Sequence, residues 1–159
     1  MGTLSSEIFD LFLTSVDDYR LTAIYSSGSA TLNTFLEPWL LNSIVEFDSI
    51  CNQDLTYTDA GTTGTGDGEF TETLNLENKV ILSKIMVKYW LIKTVNNILN
   101  MNLVLQDHDF KLHSAGQNLR EKQTYLTTVR EDISQILVDY ALKFNAWESW
   151  RNQIFDGSA

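Results

Sequence analysis

Only one cysteine, one proline and two histidines occur among the 159 residues of this chain. With Cys51 alone, no intramolecular disulfide can form. Cys51 follows Phe47 and Ile50 on an apolar helical stretch, where a lone thiol is expected to act as a small core hydrophobe. A zinc site needs three or four Cys, His or carboxylate ligands at workable spacing. His108 and His113 instead share one short polar segment with Asp107 and Asp109, which is read as a loop. Long apolar runs are missing too. Lys84, Lys88, Lys93 and Asn96 interrupt even the most apolar region, Val80 to Leu99, so no membrane span is expected. The opening Met1-Gly2-Thr3-Leu4-Ser5 has neither a basic region nor a long apolar run, and no targeting segment is expected there.

Basic residues are scarce in the first half. Up to Asn75 there is one base, Arg20, against twelve acids; from Leu76 onward ten bases face nine acids. The net charge of −10 therefore sits almost wholly in the N-terminal half. Unassisted binding to a phosphate backbone is disfavoured, because counterion release requires clustered Lys and Arg. An acidic half serves either as a solubilising surface or as a wall that repels something anionic.

What is present is apolar residues at helical spacing. A chain of this size buries roughly 68–70% of the surface exposed by its unfolded form, enough to fold without metal or disulfide. Leu4, Ile8, Leu11 and Phe12 share one face of a first helix opening at Ser5 and Glu7. Residues 17–31 read as a connecting loop. A second helix spans about Leu32 to Ile50; Pro38 suits its first turn if it begins near Glu37, and imposes a kink if it begins at Leu32. The strongest helix runs from about Glu77 to Asn100, with Asn75 as its N-cap and a stripe wide enough for several partners. A fourth, stepping through Leu119, Leu126, Val129, Ile133, Ile136 and Tyr140, ends near Lys143. The two long helices are expected to pack antiparallel across a connection of some ten residues.

Residues 54–75 differ from their surroundings. Two alternating, Thr- and aromatic-rich segments flank a Gly-rich stretch, the pattern of a β-hairpin-like arm resting on a neighbour; a mobile loop is the other reading. Residues 144–159 form a short aromatic tail. Trp147, Trp150, Arg151 and Ile154 share one helical face there, and Trp and Arg are the residues most enriched at interface hot spots. Either the tail folds back onto the core or it docks on a partner.

No constellation for catalysis is visible. Gly64-Thr65-Gly66-Asp67-Gly68 lacks the Lys and Ser/Thr of a phosphate-binding loop. Asp59, Asp67 and Glu69 lack the regular oxygen-ligand spacing of a calcium loop. No nucleophile is marked by a base and an orienting group. The expected fold is thus all-α: an antiparallel helical bundle of about four helices, with the arm inserted between helices 2 and 3. The expectation is a non-enzyme without catalytic residues, metal or cofactor. It comprises a helical-bundle domain at residues 1–143 and a C-terminal tail at 144–159.

The stretch from Leu76 to Leu105, the segment from Asp107 through Phe110-Lys111-Leu112 to Arg120, and the helix ending Ile133 to Tyr140 resemble the head–tail connector proteins of tailed bacteriophages. So does the order of elements, beginning with Ser6-Glu7-Ile8-Phe9-Asp10. The resemblance implies a subunit made in the host bacterial cytoplasm and carried in the virion. It implies a neck ring of about a dozen copies that joins the portal protein to a downstream connector or tail protein, without membrane contact. DNA would cross its channel without sequence-specific binding. On that reading Trp147, Trp150, Arg151, Ile154 and Phe155 contact the portal or an adjacent subunit. Tyr57 and Phe70 contact a neighbour through the arm, and Asp17, Asp18, Glu46 and Asp48 line an acidic channel face. A small helical protein-binding module unrelated to virions is the competing class.

Overall fold

The computed structural model describes the backbone of residues 2–16, 19–26, 28–51, 55–105 and 113–155, and the side chains of 2–16, 21–26, 28–51, 55–97, 120–144 and 146. Among these residues the chain is mostly helical, with a small two-stranded sheet. The elements are α1 (Ser5–Ser15), α2 (Tyr19–Tyr25), α3 (Ser29–Cys51), β1 (Tyr57–Thr58), α4 (Ala60–Thr63), β2 (Glu69–Phe70), α5 (Leu76–Leu105) and α6 (His113–Phe155).

Helix α5 is the centre. Ile81, Leu82, Ile85, Met86, Leu91 and Val95 are all buried, and α1, α3 and α6 all pack on it. The contacts set the directions. Glu77 near the start of α5 meets Lys143 of α6, while Lys84 and Val87 share a cleft with Tyr125 and Ile133, so α5 and α6 run antiparallel. Glu46 meets Lys88 and Trp39 lies near Lys93, so α3 is also antiparallel to α5. Glu7 pairs with Lys79, and Ser15 lies by Lys84 and Val87, which makes α1 parallel to it. Phe9 and Phe12 of α1, Leu36, Leu40 and Phe47 of α3, and Leu137 of α6 complete the core. Each such side chain contributes about 1.5–3 kcal/mol by leaving water.

The start of α5 is set locally. The Asn75 side chain accepts the Asn78 N–H at 2.7 Å, as the N-cap reading requires. Its end lies further on than the sequence led us to expect. The helix passes through Asn100-Met101-Asn102 to Leu105, because Asn lowers helix propensity by only a few tenths of a kcal/mol and no Gly or Pro intervenes.

Three other boundaries also move. Residues 17–31, read as a loop, hold α2 and the first turn of α3. Leu21 buries itself, and Gly28, at φ 124, makes the turn between the helices; its carbonyl accepts the Leu32 N–H at 3.2 Å. Pro38 sits inside α3, not at its start. An interior proline costs on the order of 3 kcal/mol, which is offset by burial of Leu32 and Leu36 before it and Trp39 and Leu40 after it. Finally, α6 begins at His113, crosses Gly116 and continues past Lys143 to Phe155. Gly116 costs only about 1 kcal/mol against alanine there, and no breaker stands at Lys143-Phe144. The tail therefore continues the helix instead of folding back. At 43 residues, α6 is roughly 64 Å long.

Candidate interaction surfaces

The arm is a short motif folded onto its own chain. Only two residues pair on each side, Tyr57 with Phe70 and Thr58 with Glu69. Between them the Gly-rich stretch winds into α4. Asp59 caps it, accepting the Thr62 N–H at 2.8 Å, and Gly64 closes it in the left-handed region at φ 70. Those hydrogen bonds hold the Asp59 carboxyl below its ordinary range. Residues 2–5 run alongside β2. Phe70 N–H donates to the Thr3 carbonyl at 2.8 Å and Ser5 N–H to the Gly68 carbonyl at 2.8 Å.

Two carboxylates from distant positions pin this motif. Helix α1 has no side-chain cap from its own N-cap residue, Leu4. Asp67 supplies one: it accepts the Ser6 N–H at 3.1 Å and the Ser5 hydroxyl, placing a negative charge at the helix's positive end. Glu37 of α3 accepts both the Tyr57 hydroxyl and the Ala60 N–H at 2.8 Å. Burial, more than any hydrogen bond, pushes the Tyr57 hydroxyl far above its ordinary range. A Cβ at Gly68 would collide with that hydroxyl, so glycine is required there. Phe70 is 1% exposed and packs against Tyr57, with ring centroids 4.9 Å apart and the planes tilted by 54°. Tyr57 and Phe70, expected to reach a neighbouring subunit, both face inward.

Of the four acidic residues expected on a channel face, Glu46 and Asp48 are among the described residues. Glu46 is half-buried and paired with Lys88, which lies 9% exposed between α3 and α5. Burial first, then Glu46, raises the Tyr89 hydroxyl above its ordinary value. Asp48 is half-buried, and its charge adds to the burial that raises the Cys51 thiol to about 11. Cys51 is thus a core thiol, 1% exposed. Asp17 and Asp18 lie outside the described residues, as do His108 and its flanking aspartates.

Among the described residues no three His, Cys, Asp or Glu side chains cluster as metal ligands. Of the clefts, one of about 210 Å³ between α1, α5 and α6 is lined by Lys84, Val87, Tyr125 and Asp132. That is smaller than usual ligand sites of roughly 300–1,000 Å³. Another, about 340 Å³, lies under the arm beside Asp10, Asn33 and Asp67. Two of its polar groups are already engaged: Asn33 donates to the Gly66 carbonyl at 3.2 Å, and Asp67 caps α1. The surfaces of the long helices remain.

Beyond the Glu77–Lys143 pair, α6 outruns its partners. Helix α5 begins at Leu76, and α3, whose Phe47 ring lies 5.5 Å from that of Tyr140, ends one turn later at Cys51. The twelve residues after Lys143 add on the order of 18 Å of helix. Trp147, Arg151 and Ile154 fall in the helical register of the buried Leu126, Ile133 and Tyr140; their side chains, and those of Trp150 and Phe155, lie outside the described set. No family model, curated protein or solved structure matches this chain.

One surface was missed in the sequence. Every exposed residue of α3 is uncharged. Thr34, Pro38, Leu41 and Val45 step by four, three and four along its outer side, with Leu41 44% and Val45 69% exposed. The signal was there: a second stripe at helical spacing, opposite the buried one. Trp39, Ile44 and Phe47 drew attention to the inner stripe alone.

Proposed function

We propose that this chain is a structural, non-enzymatic subunit of a ring at the neck of a tailed bacteriophage, joining the portal to the tail or to the next connector ring. The observation that carries the reading is the overrun of α6: a helix holding a core stripe along one half of its length extends that register, with two tryptophans and an arginine, past the ends of α3 and α5. A helix that runs on past the ends of the helices it packs against suits docking on another protein, and Trp and Arg are the side chains that dominate such contacts. The remainder forms a helical bundle with α5 at its centre, antiparallel to α3 and α6. Asp67 and Glu37 fasten the arm to α1 and α3, an arrangement that suits a ring wall. With Glu46 neutralised by Lys88, the repulsion that keeps DNA from adhering would rest on Asp17, Asp18 and Asp48.

The test is a truncation after Lys143. All described core residues precede that point, so the shortened chain is expected to keep its helical circular dichroism and cooperative melting. It is expected to lose co-sedimentation with portal-bearing heads, to which the whole chain binds. Equal attachment by both chains, or none by the whole chain, would refute the proposal.

A further inference from the structure

We propose that Asp67-Gly68 is a latent self-modification site: an aspartyl–glycyl linkage that isomerises through a cyclic imide once the Ser5 hydroxyl stops bridging its two reacting groups. The pair lies at the foot of the arm, half-buried at Asp67 and buried at Gly68. An aspartate followed by glycine is prone to this isomerisation, because no side chain shields the glycine amide and its backbone turns freely. Both residues are nevertheless required here. Asp67 caps α1 through the Ser6 N–H, and a Cβ at residue 68 would collide with the Tyr57 hydroxyl. The fold thus keeps a labile linkage and holds it in check.

The Ser5 hydroxyl donates to Asp67 Oδ1, and its oxygen accepts the Gly68 N–H at 3.1 Å. One oxygen therefore engages both the electrophile and the nucleophile, and it is shielded from water, since Ser5 is 1% exposed. The Asp67 carbonyl accepts the Thr63 and Thr65 hydroxyls at 2.6 and 3.0 Å, and the Gly68 carbonyl accepts the Ser5 N–H at 2.8 Å. Reaction requires these bonds to open locally. The Gly68 nitrogen then gives up its proton and bonds to Asp67 Cγ, while the carboxyl oxygen leaves as water. Water returns to one of the two imide carbonyls. Addition at Cγ restores aspartate. Addition at the main-chain carbonyl breaks its bond to the Gly68 nitrogen and leaves isoaspartate, with no net change in atoms. In that product the carboxyl that capped α1 has become a backbone amide, so the arm loosens its hold on α1. This site goes beyond the neck-ring reading and requires no virion.

Peptide mapping of the full chain by electron-transfer mass spectrometry, which separates isoaspartate from aspartate, tests it at neutral pH. The chain's other Asp-Gly pair, Asp156-Gly157, reports the intrinsic rate in concentrated urea, where both pairs should isomerise at similar rates. In native buffer Asp67 should react at least about tenfold more slowly than in urea. Ser5→Ala, with unchanged helical circular dichroism, should react at Asp67 at least about threefold faster than wild type in native buffer and equally fast in urea. Ile133→Val, a small loss in the bundle core, should leave the native rate at Asp67 near that of wild type. Equal wild-type rates in native buffer and urea, no isoaspartate at Asp67 in urea, a folded Ser5→Ala chain with the wild-type rate, or equal acceleration by Ile133→Val would overturn the proposal. If Ser5→Ala fails to fold, the wild-type comparison decides alone.

Discussion

Helices α3 and α6 both pack on α5 and both bury a stripe at three- and four-residue spacing, yet their outer sides are opposites. The outer side of α6 carries Arg120, Glu121, Arg130, Glu131, Asp132 and Asp139, and Gln135 donates to Asp139 one turn on at 2.7 Å. Tyr125, Val138 and Leu142 are exposed among these charges. Helix α3 exposes threonine, proline, leucine, asparagine, valine and serine, and its three acids are half-buried. Burial alone explains the inner sides of both. It does not explain why one outer side carries six charged residues and the other exposes none.

The largest expected effect breaks what the two helices share. Phe47 is fully buried on α3 and packs against Tyr140 of α6. Phe47→Ala should cost about 3–5 kcal/mol and lower Tm by roughly 10 °C, read by thermal denaturation. A loss near zero would mean that α3 and α6 do not share a core.

A smaller effect sharpens the outer side of α3. Pro38 interrupts the helix at a solvent-facing position and leaves the Thr34 carbonyl without its helical N–H partner. Pro38→Ala restores that hydrogen bond and should stabilise the single chain by on the order of 1–2 kcal/mol, seen as a rise in the urea midpoint.

The smallest effect lies on α6. Lys143 pairs with Glu77 at 2.8 Å but is 68% exposed, so solvent and salt screen the pair. Its ammonium is held above the ordinary value of 10.5, chiefly by the Glu77 hydrogen bond. A raised folded value stabilises the chain below 10.5 and loses that contribution as pH rises through the folded value. Lys143→Ala should therefore lower Tm only slightly at neutral pH and low salt. The difference should vanish in molar salt and at strongly alkaline pH. Persistence under either condition would point to lost packing of the side-chain stem instead of lost charge.

Much of this architecture could be read without coordinates. The first helix, the wide stripe of α5, its Asn75 cap and the stepping of α6 all follow from local spacing. The arm could not be read to the same depth. Its Thr- and aromatic-rich segments announced pairing, but whether they projected or docked depended on Asp67 reaching the start of α1, more than sixty residues away, and on Glu37 reaching Tyr57. Glu37, next to Pro38, looked like the beginning of a helix and not like an anchor.

Periodicity is a local property, because a helix places every third or fourth residue on one side regardless of what lies opposite. The sequence by itself therefore determined that the chain is mostly helical, which residues turn inward on α5 and α6, and that its charge is concentrated in one half. Tertiary structure alone decided the rest: that an interior proline is tolerated, that the arm folds onto α1 and α3, that Glu37 and Glu46 of α3 find partners on other elements, and that α6 runs on past the ends of α3 and α5. Each of these depends on where two elements distant in sequence meet, since burial and long-range hydrogen bonds outweigh local preferences of one to three kcal/mol.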